Sequence, residues 1–564
     1  MVIFYKSTRV VMRISCLLLA VALLFSCSRT PSVTVIHNIN GYTLTSNGDV
    51  REFEAIAIRD GKVLETGVAD GLMVAYPYAR LVDGEQKTIL PGLIDAHAHV
   101  VRLGDTILNV NLMGVDSLEE TLQIISEYAD EYPELAWITG RGWNQVLWNQ
   151  EFPLASDIDE VVSDRPVFLT RVDGHAGWAN TLALELAGIT AETPDPEGGA
   201  IIKDENGNPT GVLIDRAMGL VRSQIPPPDK QQERLSLEAS LAEMRSVGLT
   251  GAHDAGTSVN DFELMKEFAD AGTLSTRIYA MISGAGETFD ILAKDGPVIG
   301  YANDALFMRS VKIYSDGALG SRGAALIEDY SDEPGNRGLL FHSEEEFTEM
   351  VRKVASQGFQ AGIHAIGDRG NRVILNAFEN VLEEFGETGL RHRIEHSQVV
   401  SLEDIPRFKE LNIIASMQPV HATSDMNMAE DRLGSERILG AYAWRTFLDQ
   451  GTVVAAGSDF PVELSNPFHG LYSAVTRMDH EGQPAGGWYP EQALSREEAL
   501  HGFTLGAAYA GHMEHIVGSL ETGKWADFIV IDRDYFIIPE SEIWQIEVLE
   551  TWVGGKKVFD SRDE

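Results

Sequence analysis

Short apolar runs alternate with amphipathic helical stretches through the middle of the chain. Each run is followed by a polar or glycine-rich loop, which is the pattern of βα units that build a parallel sheet. Eight units of this kind favour a closed barrel over an open doubly wound sheet. The eight predicted strands are 93–99, 249–254, 277–281, 310–314, 360–366, 392–397, 413–418 and 453–459.

Both ends of the chain have a different character, with short strands separated by turns. The pattern predicts one small β-sandwich domain formed by residues 33–88 together with 520–564. The barrel would then occupy residues 89–519. Segment 105–246 is too long for a single βα connection, so we predict that it is a lid inserted after the first barrel strand. The predicted class is therefore α/β, a (β/α)8 TIM barrel with a small β-sandwich.

The first 27 residues resemble an export signal. Basic residues precede an apolar run at 14–25 that is short for a membrane-spanning helix. The run ends at Cys27 in a pattern that resembles a lipoprotein signal, which predicts acylation of Cys27 and an exported, periplasmic or cell-envelope lipoprotein. An ordinary cleaved signal is the alternative. The two cysteines, Cys16 and Cys27, both lie in this segment, so no disulfide is expected in the mature domain.

The chain is strongly acidic, with a formal net charge of −41. Such a surface repels the phosphate backbone, which argues against a nucleic-acid partner. We expect a small-molecule substrate and contact with a membrane only through the lipid anchor. A homodimer is one assembly compatible with the sequence.

Histidine and aspartate side chains stand where several predicted strands end. His97 and His99 alternate along the first strand, so both project to one face and can hold one cation. His364, His396 and Asp459 lie near the ends of the fifth, sixth and eighth strands. Because barrel enzymes place their chemistry where the strands end, these residues are predicted to converge on a divalent metal.

The motifs around these residues resemble the amidohydrolase superfamily. The matching segments are PGLIDAHAH at 91–99, IHAIGD at 363–368, RIEH at 393–396 and GSD at 457–459. Three further segments are similar to the YtcJ-like branch that includes N-substituted formamide deformylases: VKIYSDGALGSR at 311–322, DGH at 173–175 and SMQP at 416–419.

The resemblance implies one or two metal ions, with zinc the expected element. His97 and His99 would hold the first metal, with Asp459 completing its shell, and His364 and His396 would hold the second. Lys312 would bridge both metals as a carbamate formed with CO2, because a protonated lysine would repel a cation. In the alternative, Lys312 is salt-bridged to Asp316 and the site holds a single metal.

The implied activity is hydrolysis of a C–N bond other than a peptide bond, in an amide or formamide. A metal-activated hydroxide would attack the carbonyl carbon, with Asp459 as general base and then general acid. Deamination or opening of a cyclic amide on the same site is one alternative, and a peptide or imide hydrolase is another. A catalytically inactive envelope binding lipoprotein is a third, from a different class.

Four residues are predicted to contact the substrate. His175, Arg322 and Gln418 could donate hydrogen bonds to a substrate oxygen. Trp143, from the inserted lid, could wall an apolar pocket.

Overall fold

The computed structural model describes residues 33–45, 48–148, 152–171, 174, 176–196 and 198–563. The predicted signal segment with Cys27 and the predicted substrate residue His175 lie outside this part of the chain, so export, acylation and that contact stay predictions. Among the described residues, no helix combines the length and the apolar composition that crossing a membrane requires.

Eight parallel strands form the predicted barrel. Numbered along the chain, they run in the order β6-β13-β14-β16-β17-β18-β19-β20, and a short antiparallel strand, β15 (Val298–Gly300), pairs with β16. The eight predicted runs all coincide with these strands, which confirms the α/β barrel. Their bounds are β6 Leu93–Ala98, β13 Leu249–Thr257, β14 Arg277–Ser283, β16 Leu306–Tyr314, β17 Gln360–Ala365, β18 Arg393–His396, β19 Ile414–Met417 and β20 Val454–Ala456.

The first and last strands meet through two backbone hydrogen bonds. The N–H of Asp459 donates to the carbonyl of His97 at 2.8 Å, and the N–H of His99 donates to the carbonyl of Phe460 at 2.9 Å. The buried Asp95 carboxylate strengthens this seam by accepting the Ser458 hydroxyl at 2.6 Å. The ring of strands therefore closes at the residues that carry the predicted metal ligands.

Helices cover the outside of the barrel, so its strands are buried on both faces. The described α-helices are Ala69–Ala75, Val100–Ile107, Leu118–Glu131, Ala155–Asp159, Thr181–Leu186, Met218–Arg222, Lys230–Ser246, Val259–Ala271, Glu287–Leu292, Tyr301–Asp304, Glu344–Ser356, Asp368–Phe385, Ile405–Glu410, Pro419–Asp425, Ala429–Arg437, Trp444–Asp449, Pro467–Thr476, Arg496–His501 and Ala507–Ala510, with a π-helical turn at Gly502–Gly506. Short 3₁₀ turns span Gln145–Leu147, Ala293–Asp295, Ile438–Gly440, Pro490–Gln492 and Glu540–Gln545.

Strands from the two ends of the chain form one sheet, in the order β23-β22-β21-β5-β1-β2-β3, with β4 paired to β1. The N-terminal and C-terminal parts join where β5 pairs antiparallel with β21. The strands are β1 Thr34–Leu44, β2 Val50–Arg59, β3 Lys62–Gly67, β4 Arg80–Asp83, β5 Thr88–Pro91, β21 Phe528–Ile531, β22 Val548–Val553 and β23 Lys556–Asp560. This arrangement agrees with the predicted composite of both chain ends.

A buried ion pair fastens this terminal sheet to the barrel. Arg277, at the start of β14, donates from Nε to Asp527 Oδ2 at 2.6 Å and from Nη2 to Asp527 Oδ1 at 3.0 Å. Both side chains are about 5 % exposed or less. Solvent therefore competes little with this ion pair. Removing one of the two side chains would leave the charge of the other buried without a partner.

We expect Asp527→Ala to lower the free energy of unfolding by about 3–5 kcal/mol, because it leaves the Arg277 guanidinium buried without its carboxylate. Urea unfolding followed by circular dichroism measures the change. The control is Glu267→Ala, which removes the carboxylate of the exposed Arg234–Glu267 pair and should cost less than about 1 kcal/mol. Equal losses of unfolding free energy in the two variants would contradict the stabilising role of the buried Arg277–Asp527 pair.

The inserted segment has a sheet of its own, in the order β11-β12-β10-β9-β8-β7. Its strands are β7 Val110–Asn111, β8 Ile138–Trp143, β9 Val167–Arg171, β10 Ala176–Ala179, β11 Gly199–Lys203 and β12 Pro209–Asp215. The helix Lys230–Ser246, which the predicted lid included, instead packs Leu237 and Leu241 into the core of the barrel.

Candidate metal centre

His97 and His99 lie at the carboxyl end of β6 and face Asp459. Asp459 Oδ1 is 3.2 Å from His99 Nε2 and 3.7 Å from His97 Nε2. The ligand atoms of these three residues all lie within 4.8 Å of one another. The structure thus brings together residues that are more than 350 positions apart in the chain, as the barrel prediction requires.

The position of Asp459 depends on the backbone around it. Asp459 has a φ of 64°, in the left-handed region, and lies two residues after Gly457. A Cβ on Gly457 would lie 2.5 Å from Asp95 Oδ1 and 2.6 Å from the backbone nitrogen of His97. Only glycine therefore allows the last strand to approach β6 closely enough to face Asp459 toward the histidine pair.

Lys312, on β16, reaches the same cluster. Its Nζ is 2.8 Å from His97 Nε2, and the side chain is almost fully buried. Asp316, the alternative partner considered for Lys312, instead accepts backbone N–H groups from Ala325, Ile366 and Gly367. Lys312 therefore lies against the predicted metal ligands and not in the predicted ion pair.

His364 and His396 complete the predicted set. The His396 ring is 4.7 Å from the His97 ring and 4.5 Å from the His364 ring, measured between centroids. His396 has a φ of 72°, in the left-handed region. Since successive residues of an extended strand face opposite ways, this turn of the backbone lets His396 and its neighbour Glu395 both contact His97.

Burial sets the protonation of the cluster. It lowers the pKa of His364 to about 3, with the Lys312 charge acting in the same direction, and it lowers the pKa of His97 and His396 well below the ordinary value. Burial alone would raise the pKa of Asp459, but the facing His99 and His97 bring that pKa below its usual range. Neutral imidazoles and an ionised carboxylate are the forms that bind a metal.

Glu395 and Arg393 were missed by the sequence interpretation. Glu395 Oε2 lies 2.5 Å from His97 Nδ1, and the Arg393 guanidinium donates to the same carboxylate at 2.9 Å. Both residues are fully buried. A carboxylate on one ring nitrogen fixes the tautomer and leaves the other nitrogen to bind a metal. Their spacing of two along β18 is a signal that could have placed them on one face.

His421 is a further histidine at the site that the sequence analysis did not predict. It lies on the helix Pro419–Asp425 that follows β19, and its Nε2 is 3.9 Å from Asp459 Oδ2. Its ligand atom forms a second group with those of His396 and Asp459, again within 4.8 Å of one another.

The cluster fits a divalent cation. His364 Nε2 and His421 Nε2 are buried, and neither hydrogen-bonds to another described residue. Buried polar atoms without a partner carry a free-energy cost that a bound cation would remove. Imidazole nitrogen and carboxylate oxygen are also the ligands that zinc takes in proteins.

Gln418 contacts a predicted metal ligand. Its Oε1 is 2.8 Å from His396 Nδ1, and the side chain is buried. If Nδ1 donates to this oxygen, His396 presents Nε2 to a metal. This contact gives Gln418 a positioning role, whereas the sequence predicted a hydrogen bond to substrate.

We expect Gln418→Leu to weaken metal binding by about 10- to 100-fold, because His396 loses the acceptor that orients it. Competition with a chromophoric chelator measures the dissociation constant. Gln123→Leu, at an exposed helix position, serves as the control. A variant with unchanged metal affinity and a raised KM would instead support the predicted substrate contact.

The other predicted substrate residues lie elsewhere. Trp143 is fully buried, donates its indole N–H to the Leu169 carbonyl at 2.8 Å and packs against Trp178. This corrects its predicted role as a pocket wall, because the side chain fills the core of the inserted sheet. The guanidinium of Arg322 pairs with Asp332 at 2.8 Å and with Glu333 at 3.2 Å. Its predicted contact with substrate stays a prediction.

Comparison with curated proteins finds similar chains of nearly the same length. The chain is 34% identical to Protein LONG AFTER FAR-RED 3 of Arabidopsis thaliana, over 94% of this chain and 93% of that protein. It is 32% identical to a putative amidohydrolase, YtcJ, of Bacillus subtilis, over 92% and 98%. It is 28% identical to an N-substituted formamide deformylase of Arthrobacter pascens, over 89% and 94%.

Solved structures and a family model agree with these relatives. An uncharacterized metal-dependent hydrolase from Pyrococcus furiosus has a TM-score of 0.75 at 28% identity, covering 89% of this chain and all of that one. A second one, from Pyrococcus horikoshii, has a TM-score of 0.74 at 27% identity, covering 90% and 99%. The model of the amidohydrolase family matches residues 80–559. With that match across most of its length and a metal-dependent hydrolase fold around a histidine and aspartate cluster, the chain belongs to the amidohydrolase family.

Proposed function

We propose that this protein hydrolyses a C–N bond other than a peptide bond, in a small amide or formamide. The observation that carries the proposal is the meeting of His97, His99 and Asp459 at the mouth of the barrel, with their ligand atoms within 4.8 Å of one another. The similarity to an N-substituted formamide deformylase supports the bond type.

His97, His99 and Asp459 would hold one divalent metal. When bound, such a metal polarises a carbonyl group and makes water a better nucleophile near neutral pH. The protein's own contribution is to hold neutral imidazoles on one side and a carboxylate on the other. Glu395 keeps the His97 ring in the required orientation by contacting its Nδ1.

Asp459 would move the proton of the reaction. Water adds to the carbonyl carbon as the carboxylate accepts a water proton, and Asp459 then returns that proton to the nitrogen as the C–N bond breaks. Protonation matters because an amide anion is a poor leaving group. The products are a carboxylic acid and an amine, so atoms and charge balance.

Lys312, as a carbamate, would be a further ligand at this metal centre. Its Nζ contacts His97 Nε2, so a protonated amine at this place would oppose a cation held by the same ring. Addition of the neutral amine to CO2 forms an N–C bond and releases one proton. The carbamate supplies anionic oxygens in place of the positive charge.

The test is a substrate panel offered to the purified, zinc-loaded protein. The panel contains N-substituted formamides, N-acyl amino acids, cyclic amides and dipeptides, with amine, carboxylate and ammonia measured separately. We expect equal release of amine and carboxylate from an acyclic amide, and loss of this activity after treatment with a chelator. Ammonia as the product would favour a deaminase, and absence of turnover with metal bound would favour a binding protein.

A further inference from the structure

His253 is a fully buried histidine on β13 that is not one of the predicted metal ligands. Its Nδ1 is 2.8 Å from Nη1 of Arg393. Burial, and in second place the Arg393 charge, lowers the pKa of His253 well below the ordinary value, so the ring is neutral. Because a guanidinium can only donate, Nδ1 accepts this hydrogen bond and the ring proton is on Nε2.

The Nε2 side of the His253 ring carries a free-energy cost. This buried nitrogen has no hydrogen-bond partner among the described residues. The backbone of Gly511 packs so closely against it that a Cβ on Gly511 would lie 2.9 Å from Nε2. A buried donor without an acceptor costs free energy that an apolar side chain would avoid. Packing alone therefore does not account for a histidine at this position, whereas the acceptor at Nδ1 does.

Arg393 connects His253 with the residues that hold the predicted metal ligands in place. Its guanidinium donates from Nε to Glu395 Oε1 and from Nη2 to Glu395 Oε2, the second at 2.9 Å. Nη2 also donates to the carbonyl of Ala96, the residue before His97. Nη1, which Glu395 does not contact, donates to His253. His253 therefore restrains the end of the guanidinium that the carboxylate leaves free.

Glu395 completes the connection to the metal centre. The same Oε2 that accepts from Arg393 lies 2.5 Å from His97 Nδ1. His253, Arg393, Glu395 and His97 are all fully buried, so solvent does not compete for these contacts. A two-pronged contact between a guanidinium and a carboxylate fixes the orientation of both groups. Rotation of the Arg393 guanidinium would thus move the carboxylate that sets which nitrogen of His97 faces a cation.

We propose that His253 is a positioning residue of the metal centre, which orients the His97 ring through Arg393 and Glu395. The proposal rests on the proposed function, since it concerns the same metal site. His253 contacts neither a cation nor the substrate in this arrangement. Its loss is nevertheless expected to weaken metal binding, although two side chains separate it from the nearest ligand.

The test compares His253→Leu with a matched control, His392→Leu, in the full chain. His392 is also buried, accepts one hydrogen bond at Nδ1, from the N–H of Ala361 at 3.0 Å, and has a buried Nε2 without a partner among the described residues. Its ring stacks on Phe378 and does not contact Arg393 or Glu395. Both substitutions remove a buried imidazole, but only His253→Leu removes the acceptor of the Arg393 guanidinium.

Zinc dissociation constants are measured by competition with a chromophoric chelator, and stability is measured by urea unfolding. We expect His253→Leu to raise the dissociation constant about 10-fold, the lower end of the range for groups that orient a metal ligand. His392→Leu should lower stability and leave the dissociation constant unchanged. The visible absorption spectrum of the cobalt-loaded protein should shift in His253→Leu alone, because it reports the geometry of the ligands.

Conservative variants separate the acceptor from the space that the ring fills. His253→Asn places an amide oxygen near the position of Nδ1 and should keep most of the wild-type zinc affinity. His253→Gln keeps a polar side chain but places its amide near the position of Nε2, so it should bind zinc as weakly as His253→Leu. If His253→Leu does not fold, the comparison of His253→Gln with His253→Asn decides the question.

A double-mutant cycle tests whether His253 acts through Glu395. Glu395→Gln alone should weaken zinc binding by about 10- to 100-fold. Residues that act in one network are not additive, so His253→Leu should cost much less affinity in the Glu395→Gln background than in the wild type. Losses that add fully would overturn the proposed connection.

The remaining outcomes distinguish this proposal from the function on which it rests. Unchanged zinc affinity in folded His253→Leu and His253→Gln would overturn the positioning role and leave the metal centre in place. Equal losses of affinity in His253→Leu and His392→Leu would overturn it as well, since any buried histidine would then have the same effect. A wild type that binds no zinc would remove both the proposed function and this role.

Discussion

Asp459→Asn is expected to lower kcat by about 10²- to 10⁴-fold, the range that a positioned general acid–base group contributes. Asparagine has nearly the same shape, but it cannot take a proton from water or return one to the leaving nitrogen. Its neutral side chain also removes the anion that faces His97 and His99 at 3.7 and 3.2 Å. Steady-state kinetics at saturating zinc, on the best amide of the panel, measure the loss.

The matched control for this variant is Asp295→Asn, which neutralises an exposed aspartate outside the cluster and should keep wild-type kcat. Metal content is measured in both proteins, so that loss of the cation is separated from loss of proton transfer. Wild-type turnover by a folded Asp459→Asn protein would remove Asp459 from the reaction.

Lys312→Ala is expected to lower kcat by about 10²-fold or more, because the variant lacks the proposed carbamate ligand and with it several kcal/mol of electrostatic stabilisation. The side chain is buried at the centre of the cluster, 2.8 Å from His97 Nε2. Acetate or propionate added to the variant should restore part of the activity, since the free carboxylate can occupy the place of the carbamate. Kinetics with and without the added acid measure both effects.

Lys294→Ala, at an exposed turn, is the control. It should keep wild-type kcat, and added acetate or propionate should not alter that kcat. A second readout is independent of activity: ¹³C NMR of protein incubated with ¹³CO2 should show a carbamate signal in the wild type and none from this position in Lys312→Ala. Full activity of Lys312→Ala without added carboxylate would contradict the carbamate.

The fold could be predicted because a barrel imposes a repeated local pattern. Strands such as β17 (Gln360–Ala365) and β6 (Leu93–Ala98) are buried on both faces, so each appears as a short, mostly apolar run that is followed by a polar loop. A second rule located His97 and Asp459: barrel enzymes carry their chemistry at the carboxyl ends of the parallel strands, which share one rim. Position in the fold, more than residue type, therefore identified these predicted ligands.

The residues around the ligands were harder to predict. Glu395 and Gln418 act on histidines through single hydrogen bonds, and such contacts depend on the twist of neighbouring strands. His421 reaches Asp459 from a short helix beyond a strand, a placement that no periodicity in the sequence reports. The left-handed φ of His396 likewise breaks the alternation on which the strand argument depends.

For Trp143, the sequence predicted a contact with substrate that the structure does not support. A tryptophan in an inserted segment suggested a wall for a substrate pocket, but the insertion has its own sheet and needs its own core. Large aromatic side chains are the usual filling for such a core, and Trp143 packs there with Trp148 and Trp178. Composition alone could not distinguish a pocket lining from an interior.

X-ray diffraction recorded on either side of the zinc absorption edge, from crystals of the zinc-loaded protein, tests the central claim most directly. The account predicts an anomalous peak at about 2.0–2.2 Å from ligand atoms of His97, His99 and Asp459. Zinc-loaded crystals with no peak between these three side chains, or with peaks only at other surfaces, would contradict it.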